Sequence, residues 1–256
     1  MNLQMNVKLA GSYTSASQKI RVITESWLAD FGYCPTCGND LKSAKANSKV
    51  FDFECVPCAH EFELKSKRAV KTVSKICDGA YSAMMQRIIE PNSPNFFFLG
   101  YDASFSVTNL LAVPNYFFQP SVIEKRNPLS STAKRAGWVG CNILLDQIPE
   151  IGKIKLVENG EIISQEKVLK TWQKTAFLAQ QNKIEARGWT LDVMKCIERV
   201  QSKEFSLETL YKFEAELAGK HPHNRFVKDK IRQQLQVLRD KEYLEFVKPG
   251  YYKLME

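Results

Sequence analysis

The residues best suited to chemistry fall in one stretch, Tyr33 to Lys65. Cys34 and Cys37, then Cys55 and Cys58, form two C-x2-C pairs separated by seventeen residues. Two residues between cysteines let both thiolates turn into one tetrahedral site, and two such pairs complete a closed structural zinc site. A redox-active pair or buried unligated thiols are the alternatives. Asp52 falls just before the second pair, and Glu63 and Lys65 just after it. Carboxylates at close range bind Mg²⁺, which can polarise a phosphoryl oxygen and activate water. A nearby ammonium can orient that water or hold the charge that builds on the phosphate.

These side chains need two strands to position them. Val50 to Glu54 alternates, with Phe51 and Phe53 on one face and Asp52 on the other. Phe62 to Lys65 alternates likewise, with Phe62 and Leu64 opposed to Glu63 and Lys65. With the Cys55–Cys58 knuckle at the bend, the runs pair antiparallel in a register centred just after Pro57, which sets Asp52 opposite Glu63. The pattern Asp-(x10)-Glu-x-Lys resembles the PD-(D/E)xK nucleases, with Phe51 where their proline usually stands. On three residues alone, a salt-bridged, solvated strand face accounts for it equally well.

The chain of 256 residues has material for one large or two modest domains, and its formal net charge of +8 favours a polyanionic partner without requiring one. It shows no signal peptide, repeat or long apolar run, so the expectation is a cytosolic protein with reduced thiols and no membrane association. Cys77, Cys141 and Cys196 read as small core residues.

The spacing predicts a helix over 17–31 that Ser17 can cap and Gly32 follows. Its Glu25 reads as a surface residue, with a place at the metal site as the alternative. Lys42, Lys45 and Lys49, then Lys67, Arg68, Lys71 and Lys75, are phosphate-contact candidates or simply solvated. Asp78 is the expected cap of a helix over 79–89. Asn95 to Leu99 is the expected buried central strand, and further strands are expected over 105–113, 142–145 and 153–157, the last leading into a Glu158-Asn-Gly160 turn. In the run from Ser130 to Gly140, Lys134 and Arg135 suit phosphate, and Trp138 suits base stacking or a methyl pocket, with a buried structural role as the alternative. A polar helix over 166–182 closes the first domain.

The texture then changes. Helices expected over 191–200, 206–217 and 226–241, followed by a hairpin over 243–254, have the order of a winged helix-turn-helix domain. The groove-facing candidates, polar residues off the apolar seam at and just before the third helix, are Asn224, Lys228, Arg232, Gln233 and Gln236. Arg and Gln can read base edges, and Lys mainly meets phosphate. Protein docking is the other common use of such a domain. His221 and His223 read as loop residues.

Taken whole, the chain resembles the DpnI family of methyl-directed restriction endonucleases. The resemblance is carried by Tyr33-Cys-Pro-x-Cys-Gly-Asn39, Phe62-Glu-Leu-Lys-Ser-Lys67, Asp78-Gly-Ala-Tyr81, Asn95-Phe-Phe-Phe-Leu99, Arg135-Ala-Gly-Trp-x-Gly-Cys-Asn142, Lys230-Ile-Arg-Gln-Gln-Leu-Gln236 and Leu238-Arg-Asp-Lys-Glu242. It implies an α/β (α+β) PD-(D/E)xK domain over 1–182 with an embedded four-cysteine zinc site, and a winged-helix DNA-binding domain over 183–256. It implies Asp52, Glu63 and Lys65 as the catalytic triad, with Asp52 and Glu63 on catalytic Mg²⁺ and the four cysteines on structural Zn²⁺. It also implies a monomeric type II enzyme of the bacterial cytoplasm that hydrolyses double-stranded DNA at GATC carrying N6-methyladenine. Two other classes remain open at this point: a non-enzymatic zinc-ribbon and winged-helix regulator, and a nuclease of the same fold indifferent to methylation.

Overall fold

The computed structural model of the chain describes residues 1–44, 51–71, 73–90, 92–181 and 183–255. Val50, Lys45, Lys49 and Asn182, which figure in the expectations above, lie outside the described residues. The chain forms two compact units, Met1–Thr175 and Ala176–Glu256.

The first unit runs α1 (Ala16–Phe31), β1 (Lys42–Ser43), β2 (Phe53–Cys55), β3 (His60–Arg68), β4 (Lys75–Ala80), α2 (Tyr81–Arg87), β5 (Asn95–Tyr101) and β6 (Val107–Val113). It continues with β7 (Ile123–Lys125), β8 (Gly140–Leu144), β9 (Ile154–Glu158), β10 (Glu161–Ile162) and α3 (Gln165–Thr175). Seven strands form one sheet in the order β1-β2-β3-β5-β6-β9-β10, and β4-β8-β7 form a smaller one. β3 and β5 run parallel, with Phe62 beside Asn95 and Lys65 beside Phe98. Every residue of β5 is buried, as its unbroken apolar run demands of a strand covered on both faces. Phe97 and Leu99 point into a core shared with Phe62, with Ile23, Trp27 and Leu28 of α1, and with Val168 and Trp172 of α3. Phe96 and Phe98 face the other way, Phe96 against Phe118 at 4.7 Å between ring centroids.

The β2–β3 hairpin takes the expected register, Phe53 opposite Phe62 and Cys55 opposite His60. The Asn159-Gly160 turn has positive φ at both residues, 51° and 81°, as a two-residue hairpin requires. Other expectations are corrected. The cap of α1 is Ser15, whose hydroxyl meets that of Ser17 at 2.9 Å instead of a backbone N–H. The helix expected over 166–182 leaves the α conformation after Thr175 and continues as a 3-10 turn, Ala176–Gln180. There the Thr175 hydroxyl turns back to the Trp172 carbonyl at 2.9 Å and meets the Tyr116 hydroxyl at 2.9 Å, a buried tertiary demand that periodicity does not register.

Gly152 is buried where an added Cβ would stand 2.5–2.7 Å from the ring of fully buried Phe117. Gly152→Ala is expected to cost about 1–3 kcal/mol of stability by overpacking, read as a lower urea midpoint with an unchanged slope.

The second unit runs α4 (Ile184–Val200), β11 (Glu204–Ser206), α5 (Leu207–Tyr211), α6 (Glu214–Lys220), α7 (Val227–Asp240), β12 (Leu244–Lys248) and β13 (Tyr251–Leu254). The strands form a sheet in the order β11-β13-β12. Three differences from expectation stand out. The first helix begins at Ile184, the second is broken into α5 and α6 around Lys212 and Phe213, and β11 adds a strand to the hairpin. Ile231, Leu235 and Leu238 of α7 are buried, which confirms the apolar seam.

Candidate active site and nucleic-acid interface

The four cysteines converge. Sγ–Sγ distances are 3.5 Å for Cys34–Cys58 and 3.4 Å for both Cys37–Cys55 and Cys37–Cys58, and all four sulfurs lie within 4.8 Å of one another. A tetrahedron with metal–sulfur bonds of about 2.3 Å has edges of about 3.8 Å, so the donor set fits zinc. All four thiols are unbridged. Each knuckle closes with the same turn: Gly38 N–H donates to the Cys34 carbonyl at 2.8 Å, and Ala59 N–H to that of Cys55 at 2.7 Å. Both turn residues have positive φ, 79° at Gly38 and 57° at Ala59. Glycine meets that demand freely and alanine less so. Burial pushes the Cys37 thiol up, but the Asn39 side-chain amide and backbone N–H outweigh it and bring the pKa down to about 7. Burial pushes the Cys34 thiol up, and the Thr36 backbone N–H and hydroxyl beside it favour its thiolate.

The second knuckle is the turn between β2 and β3, so it fixes the strand that carries Glu63 and Lys65. Phe62 and Leu64 face the core. Glu63 and Lys65 face the other way, with the Lys65 ammonium 2.5 Å from Glu63 Oε1 and 2.5 Å from Asp78 Oδ1. The Arg87 guanidinium of α2 grips the second Glu63 oxygen. Burial works against the Lys65 charge, but Glu63 and Asp78 outweigh it and hold the pKa above that of an ordinary lysine. Asp52 sits in the bend before β2. Its N–H donates to the Phe62 carbonyl at 2.9 Å, and its Oδ2 accepts from Leu64 N–H at 2.8 Å, where β2 would otherwise supply a carbonyl.

Glu63 and Lys65 are in direct contact. Asp52 joins them through the backbone between them, and its charged partner is Arg21, 3.9 Å from Oδ1. Arg21 also grips Glu25 at 2.6 Å. A cleft of about 410 Å³ opens between α1 and β3, lined among others by Ser17, Arg21, Thr24, Glu25, Leu64 and Ser66. Burial raises the Glu25 carboxyl pKa, and Arg21 opposes the rise. Two carboxylates suffice for Mg²⁺, which keeps several waters and takes the rest of its oxygens from phosphate. Asp52 and Glu63, hard oxygen donors that are 22% and 15% exposed, fit that requirement.

Asp78 and Arg87 are the residues that sequence reasoning missed. Asp78 does not cap a helix. It lies in β4, whose pairing with β8 sets it opposite Cys141, and α2 begins only at Tyr81 with Ala80 at its cap. Its signal was alternation with buried Ile76, which puts both on the inner face.

The loop between β7 and β8 carries Lys134, Arg135 and Trp138. Lys134 and Arg135 are exposed, and Trp138 is half-buried. The Arg135 guanidinium lies 4.6 Å over the Trp138 ring, and the ring covers Gly140 so closely that a Cβ there would stand 2.8 Å from it. Trp138 is thus neither a core residue nor a free platform, since Arg135 shares its face. Of the upstream basic run, Lys75 is paired with Glu124 at 2.8 Å and Lys67 donates to the Lys75 carbonyl at 3.1 Å.

In the second unit, Lys228, Arg232, Gln233 and Gln236 are exposed on α7. Lys228 lies 5.2 Å over the Tyr211 ring and 3.5 Å from Glu214. Arg232 is paired with Asp229 and donates to the Tyr211 hydroxyl at 3.1 Å. Asn224 differs from expectation: its Oδ1 accepts from Phe226 N–H at 2.8 Å and shapes the turn into α7. Phe226, 71% exposed at the helix start, went unremarked in the sequence. His221 lies in the loop after α6, as expected, but it is anchored there. It stacks on Trp189 at 3.9 Å and meets buried Asp192 at 2.8 Å, a partnership across 29 positions that local spacing hides.

Among the described residues, no helix is long and apolar enough to cross a membrane. The family model described as DpnI, the Dam-replacing family, matches residues 1–181, and that of the Dam-replacing HTH domain matches residues 185–254. With nearly the whole chain matched, it belongs to the DpnI, or Dam-replacing, family of methyl-directed restriction endonucleases, and its C-terminal part is the family's helix-turn-helix domain.

Proposed function

We propose that the chain is a Mg²⁺-dependent type II endonuclease of PD-(D/E)xK architecture that cuts double-stranded DNA at GATC carrying N6-methyladenine. The observation that carries the catalytic half is the order on β3: Glu63 and Lys65 in contact on one face, with the Asp52 carboxylate bound to Leu64 N–H between them. In this reading Asp52 and Glu63 hold the metal, which when bound would polarise the scissile phosphate and lower the pKa of a water. A water placed there would add its oxygen to phosphorus in line with the departing sugar oxygen, which would leave with the electrons of its P–O bond; the attacking water would give its proton to solvent and the leaving oxygen would take one from solvent. Lys65, kept as an ammonium by its two carboxylates, acts as a cation that steadies the phosphate charge and not as the base. The thiolate site holds structural Zn²⁺, with no coordination position left for substrate.

Residues 1–182 are the catalytic domain in this reading and 183–256 the DNA-reading domain. Lys134 and Arg135 meet phosphate, and Trp138 lines the place of the methylated base. Lys228, Arg232, Gln233 and Gln236 face the major groove, and Asn224 contributes its free amide N–H groups. One methyl group in a pocket supplies only about 1–3 kcal/mol, so strict methyl dependence calls for more than one reading of the mark. The protein works as a monomer in the cytoplasm of a bacterium whose own DNA lacks the mark.

The test is digestion with Mg²⁺ of one plasmid in two states, fully methylated at the adenine of GATC and unmethylated. Fragments from the methylated plasmid alone are expected. Cutting of both would remove the methyl dependence, and cutting of neither by zinc-loaded protein would remove the activity. For the winged helix, Arg232→Ala is expected to lose about 1–3 kcal/mol of discrimination at one base pair. Lys228→Ala should instead weaken all duplexes alike and lower the salt slope by about one. Fluorescence anisotropy over a salt series separates the two.

A further inference from the structure

Asp78 belongs to the small sheet, yet its carboxylate reaches the lysine of the large one. It stands 2.5 Å from Lys65 Nζ with only 9% of its side chain exposed. A lysine ammonium is a compact charge on a flexible four-carbon stem. Glu63 alone cannot fix it, because Glu63 lies two residues along the same strand and is itself drawn to Arg87. Glu63 is also the group that must turn towards a divalent cation if the nuclease reading is right. When it does, one of the two anchors of Lys65 is shared away, and Asp78 remains.

We propose that Asp78 is the positioning residue for Lys65, holding its ammonium at the scissile phosphate while Glu63 is engaged by metal. The proposal rests on the catalytic reading of Lys65. A second consequence follows from pairing. Asp78 is opposite Cys141 on β8, and Tyr81 N–H donates to the Val139 carbonyl at 3.1 Å. The anchor of Lys65 is therefore built on β4, the strand paired with β8, and β8 begins two residues after Trp138. Seating of the Lys134–Trp138 loop on DNA and placement of the lysine share one small sheet.

The experiment uses the full-length, zinc-loaded protein and variants Asp78→Ala, Asp78→Asn and Asp78→Glu. Single-turnover cleavage of a methylated duplex, its affinity without magnesium, and thermal midpoints are measured together. Misplacing a reacting group by about 1 Å costs about 100-fold. Asp78→Ala and Asp78→Asn should therefore slow cleavage by about that factor, with duplex affinity and KM essentially unchanged, and Asp78→Glu should recover much of the rate. Wild-type cleavage by the near-isosteric Asp78→Asn would overturn the proposal. So would a loss of rate that tracks loss of stability and affinity in all three variants, which is the signature of a buried ion pair kept for folding alone. Failure of the wild-type chain to cut would instead overturn the nuclease reading, and the proposal with it.

Discussion

Asp52→Asn is expected to lower magnesium-dependent cleavage by about three orders of magnitude and to leave the fold intact. A metal ion supplies several kcal/mol of charge stabilisation at phosphate, and each 1.36 kcal/mol is about tenfold in rate. The asparagine keeps an amide oxygen for Leu64 N–H, which Asp52 Oδ2 now accepts at 2.8 Å, but loses the negative charge that holds the cation. Single-turnover rates on methylated duplex should collapse while zinc content and the urea midpoint stay put. Asp52→Ala removes the hydrogen bond as well and should show an added stability cost of about 1 kcal/mol. An Asp52→Asn variant that cut at the wild-type rate would take Asp52 out of the metal site, and with it the assignment of the β2–β3 hairpin as the catalytic element.

Cys55→Ser should have the largest effect on stability. Cys55 is fully buried, and its Sγ lies 3.4 Å from that of Cys37. Binding of structural zinc by small domains contributes on the order of 10 kcal/mol, because the free energy of metal binding is free energy of folding. This unit has its own aromatic core, so a loss of several kcal/mol is expected here, with a thermal midpoint lower by on the order of 10 °C. Zinc stoichiometry by atomic absorption should fall well below one. Cys77→Ser is the control: Cys77 is exposed on β4, not the core residue expected, is not among the four clustered sulfurs, and its loss should keep both zinc and stability. Equal behaviour of the two variants would mean that the four sulfurs do not bind metal.

The hairpin was legible because two independent patterns agreed on it. Period-two alternation chose the faces of Phe62, Glu63, Leu64 and Lys65, and the cysteine spacing placed the bend; the register followed from both. The all-buried β5 was legible for a similar reason, a run of aromatics with no polar face to offer. Asp78 was misread because Asp before Gly-Ala-Tyr is also what a helix start looks like. Only the pairing of β4 with β8 makes it a strand residue. Its partner Lys65 lies thirteen positions back on another sheet, and no local rule connects the two. Asn224 shows a role that the sequence reading did not give it. A polar residue beside a recognition helix suits a base edge, but a short amide side chain bonds its own backbone two residues on at least as readily. The break between α5 and α6 left no helix-breaking residue in the sequence: Lys212 and Phe213 are ordinary helix residues.

The strict alternation of β3 has a consequence for how such a chain can vary in length. Phe62 and Leu64 belong to the core, and Glu63 and Lys65 to the opposite, charged face. An insertion or deletion of one residue between Cys58 and Phe62 would exchange those faces, putting two charges among aromatics and two apolar side chains where Glu63 and Lys65 now stand. A change of two would keep the faces and displace only the register. The segment between the last clustered cysteine and the strand that carries Glu63 and Lys65 is thus constrained by parity before it is constrained by identity. Most substitutions at His60 or Glu61 leave that parity alone, whereas a single added codon ends it.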